Sequence, residues 1–110
     1  MTDLTAQHCK PCEGGTRPLS TEQAQAMLGQ VSGWILNDKG TEISRTFEFK
    51  NYYRTMAFVN ALAWITHQED HHPDLEVSYN KCKVRYSTHA IGGLSENDFI
   101  CAAKLDLLVN

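Results

Sequence analysis

Two pairs of alternating segments constrain this chain most. In the first pair, Trp34-Ile35-Leu36 leads through the turn-rich Asn37-Asp38-Lys39-Gly40 into a stretch where Ile43, Phe47 and Phe49 face one way. Glu42, Ser44, Thr46 and Glu48 face the other. In the second pair, Leu75, Val77 and Tyr79 alternate with Glu76 and Ser78, Asn80-Lys81 makes the turn, and Cys82, Val84 and Tyr86 alternate with Lys83, Arg85 and Ser87. A period of two is the mark of a half-buried strand, and connections this short join antiparallel neighbours. Arg45 falls on the apolar side of its strand and so requires an edge position or a polar partner.

Helical patterns flank both pairs. Ser20 followed by Gln23 is a capping box, and Ala24, Met27, Leu28 and Val31 form an apolar stripe that Gly33 ends. Asn51 caps a longer helix, Tyr52 to Gln68, with Tyr53, Met56, Ala57, Val59, Leu62, Ala63 and Trp64 on its apolar side. Phe58 and Ile65 widen that stripe beyond what one sheet face requires, so the helix is either deeply buried or packed on another subunit. Pro73 stops it. After Gly92-Gly93, Ser95 opens a third helix with Phe99, Ile100, Ala103 and Leu107 inward. Trp34 and Trp64 read as core residues. The order α-β-β-α-β-β-α predicts an α+β fold, a four-stranded antiparallel sheet with helices on one face, containing two similar β-β-α halves.

A chain of 110 residues is one domain, and it buries roughly 60–70% of its extended surface, enough for a core without staples. Residues 1–18 are polar, with Pro11, Gly14, Gly15 and Pro18, and read as a flexible leader; residues 19–110 are the domain. The net charge of −3, with scattered basic residues, argues against nucleic acid or an anionic membrane as the main partner. No apolar run approaches the ~20 residues of a membrane span, and the first residues lack the pattern of a secretory signal. The cytoplasm is the default location, where Cys9, Cys12, Cys82 and Cys101 are reduced thiols. Cys82 and Cys101 sit in apolar patterns as small core residues.

The residues with chemistry lie in Asp70-His71-His72-Pro73-Asp74 and Ser87-Thr88-His89, which hold three of the five histidines. Imidazole exchanges protons near neutral pH. Neighbouring residues diverge on a strand or a helix, so His71 and His72 reach one ligand only from an irregular connection, and Pro73 forces one there. Asp70 can orient one ring or raise its pKa. The plain alternatives are a surface loop for the pair and an exposed strand end for His89. Ser87 and Thr88 offer hydroxyls to a polar ligand or to the local backbone. Asp98, three residues after Ser95, fits a capping box, which leaves a ligand contact open. Cys9-x-x-Cys12 beside His8 is at most half of a zinc site, and adjacent His71 and His72 are awkward as two ligands of one metal, so no metal is expected.

Taken together, Asp70-His71-His72-Pro73, Tyr79-Asn80-Lys81, Ser87-Thr88-His89 and Gly93-Leu94-Ser95-x-x-Asp98 resemble the pterin-4a-carbinolamine dehydratases, in particular bacterial members that act beside phenylalanine hydroxylase. The resemblance runs from Leu19 to the C-terminus. It implies the same α-β-β-α-β-β-α fold, a dimer or tetramer assembled through helices or a sheet edge, and dehydration of a 4a-hydroxytetrahydropterin to a quinonoid dihydropterin without metal or organic cofactor. It makes His71, His72 and His89 the catalytic histidines and places Asp98 near the pterin pocket. Of the three, His71 and His89 are read as the proton-transfer residues and His72 as positioning the substrate. Asp70, Pro73, Thr88 and the extended backbone of Glu76, Val77, Ser78 and Tyr79 are read as substrate-binding, because a strand offers alternating donors and acceptors. Some animal members carry a glutamate four residues before the histidine pair; here that position is His67, with Glu69 two residues later. The competing expectation is a non-catalytic dimerisation module of the coactivator type, as animal members also stabilise a dimeric transcription factor through a helical surface.

Overall fold

Alternation of burial in two hairpins sets the architecture. A computed structural model describes residues 3–11 and 16–109. Strands β1 (Ile35–Leu36), β2 (Ile43–Glu48), β3 (Asp74–Val77) and β4 (Lys81–Tyr86) form one antiparallel sheet in the order β1-β2-β4-β3. Helices α1 (Thr21–Leu28), α2 (Tyr52–Glu69) and α3 (Glu96–Asp106) complete the expected α+β order. Register places Ile43 opposite Tyr86, Arg45 opposite Val84 and Phe47 opposite Cys82, so these six share the inner face. Ile43, Cys82, Val84 and Tyr86 are fully buried there. Phe58 and Leu62 of α2 and Phe99, Ile100 and Leu105 of α3 complete the same cluster. The opposite face carries Ser44, Thr46, Lys83 and Arg85, with Arg85 held by Glu76 at 3.0 Å.

Arg45 finds its polar partner inside this layer. Its Nη1 donates to Asp106 Oδ1 at 2.6 Å while the guanidinium lies 4.3 Å from the Phe47 ring centroid. Trp34, buried as expected, donates its indole N–H to the same oxygen at 2.9 Å. Trp64 is different: it is 60% exposed.

That exposure reflects a rotation of α2. Its buried residues are Thr55, Phe58, Leu62 and Glu69, a true i, i+3, i+7 stripe, whereas Tyr53, Ala57, Ala63 and Trp64 face outward. The helix is apolar nearly all round, so periodicity alone does not pick the inward face. Three smaller departures have local causes. Helix α1 ends at Leu28, with Gly29 as its C-cap, so Val31 reaches the core from the turn that follows. Helix α3 ends at Asp106 and tightens into a 3-10 turn, Leu107–Val109, which swings Leu107 out to 57% exposure. Val77 and Tyr79 stand at the open end of edge strand β3 and are exposed.

The N-terminal stretch read as a leader carries structure. A 3-10 turn, Leu4–Ala6, puts Leu4 into the core, and the chain then runs along α3. Cys9 N–H donates to Glu69 Oε1 at 2.7 Å, Lys10 N–H to Asn97 Oδ1 at 3.0 Å, and Asn97 Nδ2 back to the Lys10 carbonyl at 2.6 Å. Cys12, Gly14 and Gly15 lie outside the described residues. Among the described residues no helix is long and apolar enough to cross a membrane.

Candidate active site

The site begins where α2 stops. Asp70 takes the left-handed conformation, φ 51°, and is the one non-glycine residue described that does so. Its N–H closes on Thr66 O, as does that of His71 at 3.3 Å. Asp tolerates this region better than most residues, and Pro73 excludes further helix. The sharp turn releases His71 and His72 from helical geometry, so both line one cleft. From the other side, β4 ends at Tyr86, and a 3-10 turn, His89–Ile91, begins after Thr88. Gly92, at φ 67°, ends that turn, and a bridge pairs Thr88 with Gly93. His89 therefore leaves the strand and joins the cleft.

This cleft, about 560 Å³, is lined by His71, His72 and His89, with Asp70, Gln68, Glu69, Ser87, Thr88, Ala90 and Asn97, and by residues 9–11 of the N-terminal segment. That volume lies in the range of small-molecule sites.

His71 is the most constrained of the three. Its Nε2 lies 2.6 Å from Asp98 Oδ1, and its ring stacks on Tyr86 with centroids 5.7 Å apart and planes 8° from parallel. The Asp98 carboxylate is fully buried, and its second oxygen accepts from Thr88 Oγ1 at 2.8 Å and from the Ser95 N–H at 3.0 Å. Burial of His71 opposes its protonation, but the Asp98 hydrogen bond and charge prevail and raise its pKa above the ordinary imidazole value. Asp98 thus both holds the start of α3 and orients His71, while lying behind the cleft wall. Thr88 Oγ1 is spent on Asp98 and on Ser95 Oγ, 2.7 Å away. His72 and His89 are exposed, and His89 Nε2 is 4.0 Å from Asp74 Oδ2.

Other candidates lie elsewhere. Pro73 follows the histidine pair but does not line the cleft. Glu76, Val77, Ser78 and Tyr79 run away from it along the free edge of the sheet, opposite Lys83 and Cys82. His67 sits on the outer side of α2, its ring 5.7 Å from that of Trp64. Glu69 is anchored: besides the Cys9 N–H, it meets His8 Nδ1 and Lys104 Nζ, each at 3.0 Å. Burial would raise its pKa, yet these three partners bring it down to about 2. Among the described residues no three His, Cys, Asp or Glu side chains are arranged so that they could hold a metal ion. Tyr86, Gln68 and Asn97 were not anticipated. Tyr86 had a signal, as the last inward residue of its strand, next to the Ser-Thr-His run.

Comparison with known proteins shows the family. The family model for pterin 4 alpha carbinolamine dehydratase matches residues 17–108. The chain belongs to that family. A relative in Nitrosomonas eutropha, provisionally named a pterin-4-alpha-carbinolamine dehydratase, is 66% identical over 99% of this chain and 96% of its own length. Another so named, in Xanthomonas campestris pv. campestris, is 59% identical over 94% of this chain and 91% of its own. Among solved structures, a transcriptional coactivator/pterin dehydratase from Brucella melitensis superposes with a TM-score of 0.81 at 28% identity, covering 86% of this chain and all of that one. A pterin dehydratase-like protein described as a RuBisCO assembly factor of the alpha-carboxysome shares the fold, with a TM-score of 0.62 at 23% identity over 71% of this chain and 90% of that one. The dehydratase family fold therefore supports more than one described role.

Proposed function

We propose that this chain dehydrates a 4a-hydroxytetrahydropterin to the quinonoid dihydropterin and water by histidine acid–base catalysis. The observation that carries this reading is one cleft lined by three imidazoles, the innermost bonded to a buried carboxylate at 2.6 Å. The reaction expels an oxygen from a carbon next to a ring nitrogen. An acid must protonate the departing hydroxyl, and a base must take the N5 proton. His71 suits the acid: Asp98 keeps its imidazolium favoured and occupies Nε2, leaving Nδ1 to face a ligand. His89, exposed where it lines the cleft, suits the base, and His72 positions the ring. Asp70, Ser87 and the neighbouring backbone read the pterin's polar edge, while Asp98 and Thr88 act through His71. The chemistry of the substrate fits a place beside an aromatic amino-acid hydroxylase such as phenylalanine hydroxylase, which generates the carbinolamine.

The test is a spectrophotometric assay for quinonoid dihydropterin release with the uncatalysed rate subtracted. His71→Ala and His89→Ala each lower kcat by roughly 10²–10⁴, and His72→Ala acts mainly on KM. Losses of only a few-fold in both of the first two variants, with the fold intact by circular dichroism, overturn the assignment.

A second reading has its own observation. Tyr52, Tyr53 and Trp64 stand on the outer face of α2 at 47%, 80% and 60% exposure. Exposed aromatic groups spaced along one helix suit an interaction site. We infer that this face, or the open edge of β3, joins copies of the chain, and the edge strand 76–79 serves there better than at the pterin.

A further inference from the structure

Two thiols beside the cleft take no part in the dehydration. Cys9 Sγ and Cys101 Sγ lie 3.5 Å apart although 92 positions separate them in the chain. Cys101 is fully buried on α3, with its sulfur 4.0 Å from the His71 carbonyl oxygen. Cys9 is half-buried, lines the cleft and is therefore within reach of a small oxidant. The sulfurs are brought together by contacts that do not involve them: Leu4 in the core, the Cys9 N–H on Glu69, and the reciprocal bonds between the Lys10 backbone and the Asn97 amide. A disulfide needs an S–S distance of about 2.05 Å, so closure requires an approach of about 1.5 Å, within the give of an N-terminal segment.

We propose that Cys9 and Cys101 form a peroxide-closed clasp that fastens the N-terminal segment covalently to the cleft wall. Hydrogen peroxide transfers one oxygen to the Cys9 sulfur, giving a sulfenic acid and one water. The Cys101 sulfur then attacks the sulfenic sulfur; the S–S bond forms, the S–O bond breaks, and the hydroxide leaves with the Cys101 proton as a second water. Two thiols give up two electrons and the peroxide receives them. The contact with Cys9, in which either sulfur can donate, and the charge of His71 nearby hold the Cys101 thiol below its ordinary pKa against its burial. Cys101 is thus the resolving sulfur. Cys9 is pushed up by the same contact and by burial, so the first step is slow and calls for excess peroxide.

The experiment treats the full-length folded chain with hydrogen peroxide, blocks residual thiols and maps peptides without reduction. The expected result is loss of two of the four thiols, a Cys9–Cys101 linked peptide that dithiothreitol removes, and slowing of amide exchange at Cys9 and Lys10 by roughly tenfold or more. Cys12→Ser retains the link and Cys9→Ser abolishes it. A Cys9–Cys12 link instead, sulfinic acid without any link, a Cys9–Cys101 link that forms only in urea, or unchanged exchange in the linked protein each overturns the clasp. None of these readouts depends on catalysis.

Discussion

A histidine held between a stacked phenol and a buried carboxylate has its protonation set by its neighbours. Because Asp98 outweighs burial and raises the folded-state pKa of His71, the imidazolium persists to higher pH than in an ordinary histidine, and an acid role is lost as pH rises through that raised value. Asp98→Asn removes the charge while keeping the shape, so the alkaline limb of kcat moves to lower pH and the His71 imidazole titrates lower by NMR. An unmoved titration refutes the coupling. Glu69 works with the opposite sign. Its pKa falls to about 2 from an ordinary 4.5, so the stability it contributes is complete above 4.5 and disappears as pH drops through 2. Glu69→Gln therefore flattens the acid side of the stability curve, removing about 3 kcal/mol of pH dependence in urea unfolding between those limits. The histidines and Asp98 were legible because proton chemistry has few candidate side chains. The role of Glu69 was not, since its partners, residues 8, 9 and 104, come from two other parts of the chain.

At the scale of elements, the end of α2 matters more than its middle. The helix is launched by Asn51, whose side chain accepts the Arg54 N–H at 2.9 Å, and Asn51→Ala costs about 1 kcal/mol of stability by denaturant unfolding. It is stopped by Asp70 at positive φ. Asp70→Gly accepts that conformation and keeps the thermal midpoint, while Asp70→Val, β-branched, lowers stability by about 1–2 kcal/mol. Equal losses in both variants show that the Asp70 carboxylate, not its backbone, is what the turn requires. Capping residues, strand alternation and the Pro73 stop were readable because each is a local rule. The inward face of α2 was not, since a helix apolar on nearly every side takes its orientation from the sheet it covers.

Across the whole molecule, the aromatic face of α2 and the free edge of β3 are the surfaces proposed above for pairing with another copy. Sedimentation equilibrium resolves which one is used: Trp64→Glu with Tyr53→Glu dissociates an assembly built on the helix and leaves one built on the strand edge intact. A monomer at every concentration in the unmodified chain removes both. The docking of residues 3–10 is also a property of this scale, invisible in a polar stretch until α3 supplies Asn97 and Cys101 as its partners. The cleft itself draws on residues 9–11, 68–72, 87–90 and 97. A chain emerging from the ribosome consequently has no complete cleft until Asn97, at the start of α3, has cleared the exit tunnel, and a product truncated before that residue lacks one wall of it.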